Sequence, residues 1–173
     1  MSHSRILFDR PIELSVWTTC RWHLLTDASD ALYRGWMSEL PSDIRALLDA
    51  PNYVHLTTLR ADGSPRNWVV WVGLEDDNIL VCTGVSAWKA KDMIRDPRVS
   101  LSVTDNDDPY RMGAIQARVV EMRDDYDSVY MDAISHKYTG EPFAARGEGR
   151  VCFVLEPVLA GGRKLNLVHA PGE

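Results

Sequence analysis

The stretch Thr83-Gly84-Val85-Ser86-Ala87-Trp88-Lys89-Ala90-Lys91-Asp92-Met93 decides how the rest of the chain is read. Ahead of it, Ile79-Leu80-Val81-Cys82-Thr83 is a short apolar run containing β-branched residues, and behind it Val99-Ser100-Leu101-Ser102-Val103 alternates with period two, so both predict strands. Between them the pattern predicts a helix of about three turns. Ser86 is its expected cap, Ala87, Ala90 and Ile94 share its apolar face, and Asp96-Pro97 stops it. The charges are unusual. A first helical turn favours Asp or Glu, yet Lys89 and Lys91 come before any acid. A cation at the positive end of a helix costs on the order of 0.3–1 kcal/mol, a penalty that a bound anion would reverse. Backbone amides after Gly84 and Ser86, with the Lys89 ammonium, form a plausible phosphate grip. Two lysines pointing into water satisfy the same pattern.

Composition narrows the possible functions. With 173 residues and 45% hydrophobic content the chain can bury one good core. A net charge of -6 and scattered basic residues argue against nucleic acid. No apolar run reaches the roughly 18 residues of a membrane span and no secretory leader is visible, which predicts a cytoplasmic protein. Cys20, Cys82 and Cys152 are odd in number and widely separated, so buried reduced thiols are expected rather than a disulfide framework. The histidines never pair at metal-ligand spacing, and His55 alone in a strand reads as a hydrogen-bonded structural residue. The sequence contains no Cys-x-x-Cys, His-Glu-x-x-His, nucleophile elbow or Walker-type loop, so no metal site is expected.

Outward from the lysine turn, the chain reads as sheet. Tyr53 to Arg60 and Arg66 to Leu74 predict two strands joined at Ala61-Asp62-Gly63-Ser64, where Asp-Gly is a strong hairpin signal. A turn at Glu75-Asp76-Asp77-Asn78 leads to the strand before the lysines. Later, Tyr110 to Arg123 alternates as a half-exposed strand, and acids at Asp124 to Asp127 open a helix that Gly140 ends. Gly140 to Gly149 reads as a loop, Val151-Cys152-Phe153-Val154-Leu155 closes the sheet, and Leu165 to Val168 is a possible terminal strand. Before the sheet, Ser42 to Asp49 predicts a short serine-capped helix. Ser29 or Asp30 to Leu40 predicts another, with loosely patterned strands at Ile12 to Trp17 and Trp22 to Leu25. The expected architecture is mainly β (α+β): a six-stranded antiparallel barrel with flanking helices over 42–173, preceded by an extension over 1–41 of no assigned role.

An ordered series of motifs resembles the split β-barrel flavin and deazaflavin oxidoreductases, the family related to pyridoxamine 5'-phosphate oxidase. Tyr53 to Pro65 resembles its opening hairpin, Trp68-Val69-Val70-Trp71-Val72 its second strand, and Lys89 to Val103 its phosphate-site helix and following strand. Asp108-Pro109-Tyr110-Arg111, Ala117-Arg118-Val119 and His136-Lys137-Tyr138-Thr139-Gly140 are similar to the deazaflavin branch. The resemblance implies a homodimer with two cofactor sites between the barrels, holding coenzyme F-420 or, alternatively, FMN. It also implies roles. Lys89 would hold the phosphate, assisted by Ser86 and nearby backbone amides, Thr57, Thr58, Asn67, Val69 and Trp71 would line the ring, Thr83, Trp88 and Lys91 would also bind the cofactor, and no protein acid or base would be demanded. Tyr110 and Arg111 would reach over from the partner. A hydride would pass to a small-molecule acceptor. A pyridoxamine 5'-phosphate oxidase-like FMN enzyme and a non-catalytic binder of a flavin or haem-like ligand are the other readings. One departure stands out: family members commonly carry an arginine just before the lysine and an asparagine three residues after it, where this chain has Ala87-Trp88 and Asp92. That exchange predicts a weakened grip unless Lys91 or Arg111 compensates, and Trp88 is expected to pack on the barrel.

Overall fold

Period-two alternation in the sequence becomes sheet, and its phase decides which side chains reach the core. A computed structural model of the chain describes residues 5–7, 40–146 and 149–165. The elements run β1 (Arg5–Leu7), α1 (Ser42–Asp49), β2 (Val54–Leu59), β3 (Pro65–Val70), β4 (Gly73–Glu75), β5 (Asn78–Gly84), α2 (Trp88–Arg95), β6 (Arg98–Thr104), β7 (Arg111–Asp124), α3 (Val129–Thr139) and β8 (Arg150–Lys164). Every pairing is antiparallel, in the order β3-β2-β6-β7-β8-β5-β4, with β1 added on β7. The six expected strands are present with two short additions. Along β6 every second residue is buried, which places Val99, Leu101 and Val103 inside and the serines outside.

The expected return strand is split. Trp71 and Val72 leave the ladder because Val72 donates its N–H to the Tyr138 hydroxyl at 3.2 Å and Trp71 stacks on the Tyr138 ring at 4.9 Å. After the break, β4 pairs with β5 at the other end of the strand path, so β3 and β4 are its two ends, and the sheet is not closed between them. The hairpin turn forms as its sequence suggests, with Gly63 at φ 81° and Asp62 accepting from the Ser64 amide at 2.9 Å. The closing strand is longer than its apolar run: β8 continues through Pro157, which sits beside a register shift at Gln116/Ala117 where a missing N–H is tolerated. Leu165 is outside the strand and donates its N–H to the Tyr110 carbonyl.

Three expected helix details are corrected. The Ser42 and Ser86 hydroxyls cap nothing: α1 begins at Ser42 behind Pro41, α2 begins at Trp88 behind Ala87, and neither has a side-chain cap. The lysine helix has eight residues rather than three turns, so Lys89 is its second residue. Its buried face is Ala90, Asp92 and Met93, leaving Ile94 44% exposed. The expected elements at 12–17, 22–25 and 29–39, the terminal strand beyond Leu165, and Cys20 lie outside the described residues.

The main core collects Ile44, Leu47, Leu48, Leu56, Met93, Leu101, Ile115, Phe153 and Leu155 inside the curled sheet. α1 packs on β4, β6, β7 and β8, and α2 packs on β2 and β5. At α1, Gly113 and Gly162 face each other across β7 and β8, and a Cβ on Gly113 would meet Ile44 Cδ1 at 2.5 Å, so the bare backbone makes room for the helix. A second cluster of Leu80, Ile134, Cys152 and Val154 lies beneath α3, so β5 and β8 are buried on both faces. Cys82 and Cys152 are opposite one another in this ladder as free thiols, and the contact with Cys152, then burial, pushes the Cys82 thiol well above its ordinary range. Among the described residues no helix is long and apolar enough to cross a membrane.

α3 is anchored through polar groups. Asp125 accepts the Tyr130 and Met131 amides at 2.9 and 3.1 Å, realising the acidic helix start read from the sequence. At the other end, Tyr138 donates to the Asn52 carbonyl at 2.8 Å, and Lys137 Nζ donates to the Leu48 carbonyl at 2.7 Å, at the negative end of α1. Burial lowers the Lys137 ammonium to about 8. Because the folded value lies below the ordinary lysine value, the unfolded chain binds more protons between pH 8 and 10.5, and this site's contribution to stability rises across that window. Lys137→Met is expected to abolish that rise, so urea unfolding at pH 7 and 9.5 should show the wild type gaining on the variant. Parallel pH dependence of the two proteins would refute the assignment.

Candidate functional site

The first turn of α2 contains no acid. By helical geometry the amides of Trp88, Lys89 and Ala90 have no partner within the helix, so the turn presents three donors and the positive end of the dipole. Lys89 is half-buried over the ring of Trp68, with Nζ 4.9 Å from the ring centroid. Among the described residues no carboxylate pairs with it, and burial alone lowers its ammonium below the ordinary lysine value. The side chain does not run out into bulk solvent.

Asp92, one turn along, faces inward. Its carboxylate is 3% exposed, lies 3.2 Å from Arg66 Nη1 and 3.0 Å from Arg95 Nη2, and accepts the Thr58 hydroxyl at 3.1 Å. Thr58 in turn accepts the Trp68 indole N–H at 3.2 Å. Trp68 N–H donates to the Thr58 hydroxyl, which donates to the Asp92 carboxylate, and this hydrogen-bonded chain fixes the ring under Lys89. Arg95 also donates to the Leu59 carbonyl, tying α2 to β2. Arg66 and Arg95 pair with this acid, while Lys89 lies over Trp68 and Lys91 over Trp88. The carboxylate expected to oppose a phosphate is therefore buried and ion-paired.

Trp88 does not pack on the barrel: it is 62% exposed, with Arg66 5.1 Å and Lys91 5.0 Å from its ring centroid. Ser86 is exposed in the turn before the helix, whereas Thr83 is buried on the core side at the end of β5. Thr57 and Thr58 are neighbours in sequence and lie on opposite faces of the sheet. Thr57 accepts from Asn67 Nδ2 at 3.0 Å on the outer face, where Val69 is 60% exposed and His55, read as hydrogen-bonded, is exposed beside it. Trp71 belongs to a different group, stacked on Tyr138 and edge-on to Phe143 beneath α3. Tyr110 and Arg111 lie at the β6–β7 turn, about 20 Å along β6 from α2. There Arg111 pairs with Asp105 at 3.0 Å, so within one chain it cannot offset Asp92.

Arg66, Trp68 and Asp92 are the residues that sequence reasoning left out of the site. The missing signal was the hairpin register, which sets Thr58 opposite Arg66 and Leu56 opposite Trp68 on the inner face.

The chain is similar to an F-420 reductase at 25% identity, covering 70% of this chain and 98% of that one with a TM-score of 0.65. It resembles a conserved protein from Mycobacterium tuberculosis at 19% identity, with 81% and 97% of the two chains covered and a TM-score of 0.63. It also resembles an FAD-binding protein from Mesorhizobium loti at 20% identity, with 72% and 94% covered and a TM-score of 0.52. No curated protein matches the chain. The sequence profile described as pyridoxamine 5'-phosphate oxidase matches residues 40–161, which include every described element except β1 and the last residues of β8. On that match, and on the antiparallel split barrel that carries it, the chain belongs to the pyridoxamine 5'-phosphate oxidase family.

Proposed function

We propose that this protein is an oxidoreductase that uses a deazaflavin coenzyme of the F-420 type to reduce a small-molecule acceptor, working as a homodimer. The observation that carries the reading is Lys89, a half-buried ammonium at a helix N-terminus with no carboxylate partner among the described residues. Such a cation is poised for an anion, and three first-turn amides point the same way. The 25% identity to an F-420 reductase favours the deazaflavin over FMN. The residues present fit the group: Lys89 and the amides of Trp88 to Ala90 hold its phosphate, and Trp68 holds Lys89 in place. When bound and reduced, a deazaflavin supplies a hydride from its C5 carbon to an electron-poor double bond or carbonyl. The chain needs only to bind the phosphate, orient the ring and exclude water.

Two features support the dimer. Across β3, β2, β6 and β7, the rows Val69, His55, Ser102, Ala114 and Asn67, Thr57, Ser100, Gln116 form an uncharged outer face. Tyr110 and Arg111 are too far along β6 to join their own chain's Lys89, so a site containing both requires a second copy. Fluorescence titration with F-420, FMN and riboflavin tests the reading, with sedimentation for the dimer. Tightest binding of F-420, followed by hydride transfer from its reduced form, is the expected result. FMN binding alone would replace the cofactor, binding without turnover would favour a carrier, and no binding of any would refute the proposal.

A further inference from the structure

We propose that Arg66 is the second cation of the phosphate site, aimed there by Asp92, and that it takes the place of the basic residue absent before Lys89. This inference rests on the preceding reading of Lys89 as a phosphate ligand. Arg66 reaches the site from β3, a different element, because the pleat turns Arg66 and Trp68 inward while Asn67 and Val69 turn outward. Its guanidinium carbon lies 5.8 Å from the Trp68 ring centroid, and Lys89 Nζ lies 4.9 Å from the same ring, so the two cations converge on one indole. The ring centroid of Trp88 lies 5.1 Å from the same guanidinium carbon.

The unspent hydrogen-bonding capacity is what points to a ligand. The Arg66 side chain is only 20% exposed, and Nη1 is buried with no hydrogen-bond partner, although it stands 3.2 Å from Asp92 Oδ2. The Asp92 contact is therefore a charge contact that leaves the hydrogen-bonding capacity of Nη1 unmet. Leaving a buried donor unmet is unfavourable, and the oxygens of a phosphate are the acceptors that match a fork. Asp92 is then a positioning residue. It anchors the guanidinium while leaving Nη1 unmet, and through Thr58 it also fixes the ring that both cations share.

The test separates the phosphate's share of binding from the ring's. Affinities of wild type and Arg66→Gln are measured for FMN and riboflavin, and for F-420 and its dephosphorylated deazariboflavin. Each phosphorylated-to-unphosphorylated affinity ratio is expected to fall at least tenfold in Arg66→Gln, with the ring-only ligands held within about twofold, while Arg66→Lys gives an intermediate ratio. Should Arg66→Gln fail to fold with Asp92 uncompensated, the double variant Arg66→Gln/Asp92→Asn carries the same comparison. An unchanged ratio in a folded variant overturns the role of Arg66 and leaves the coenzyme reading standing. Failure of the wild type to bind any of the four compounds overturns both.

Discussion

Asp92→Ala is expected to lower stability by about 3 kcal/mol, close to the low end for breaking a buried ion pair. The carboxylate is 3% exposed and is the common partner of Arg66, Arg95 and Thr58. Its removal strands Arg66, whose side chain is only 20% exposed, whereas Arg95, at 39%, can turn to water, which keeps the loss from being larger. For a domain of this size that corresponds to a drop of roughly 10 °C in melting temperature. A double-mutant cycle gives the sharper check. If the pair acts as a unit, Arg66→Met/Asp92→Ala should be clearly less destabilised than the sum of its single variants, because no buried charge is left alone. Additive losses in urea unfolding would mean that Asp92 and Arg66 are not coupled and that the clamp is mistaken.

What could be read from residue order and what could not divide along physical lines. Local patterns carried far: Asp62-Gly63 specified the hairpin, the alternation of Val99 to Val103 became β6, and the crowded acids before Val129 opened α3. The wrong-signed charges at Lys89 and Lys91 marked the turn that the fold half-buries. Partners distant in sequence were not readable. Asp92 looked like a phosphate-repelling departure because nothing local says that it faces inward, where two arginines and a threonine await it. The resemblance sets Thr57 and Thr58 together along the ring, although a pleated strand sends neighbours to opposite faces. Trp68 lies against the main core, while Trp71, outside the strand, lies under α3. The break at Trp71-Val72 required knowing that Tyr138 would claim the Val72 amide.

Lys89→Glu is expected to weaken binding of a phosphorylated coenzyme about a hundredfold or more while leaving the protein without ligand nearly as stable as before. A unit charge about 4 Å from a phosphate contributes up to about 4 kcal/mol at an effective dielectric of 20, and half-exposure reduces this to roughly 2. Reversing the sign replaces that attraction with a repulsion, so a loss of at least about 3 kcal/mol, or two orders of magnitude in affinity, is a conservative expectation. The opposing terms in the unliganded protein are small and of opposite sign. Losing the ammonium over Trp68 removes about 0.5–1 kcal/mol of cation–π attraction, whereas a carboxylate in the first turn of α2 gains about 0.3–1 kcal/mol from the helix dipole. The net change in unliganded stability should stay within about 1 kcal/mol. Unfolding of the unliganded variant and a coenzyme titration at low and high salt measure both quantities. The affinity gap should narrow as salt rises, since much of it is charge on a half-exposed group. Unchanged coenzyme affinity, or a stability loss larger than the binding loss, would make Lys89 a structural lysine and remove the principal support for an anion at the start of α2.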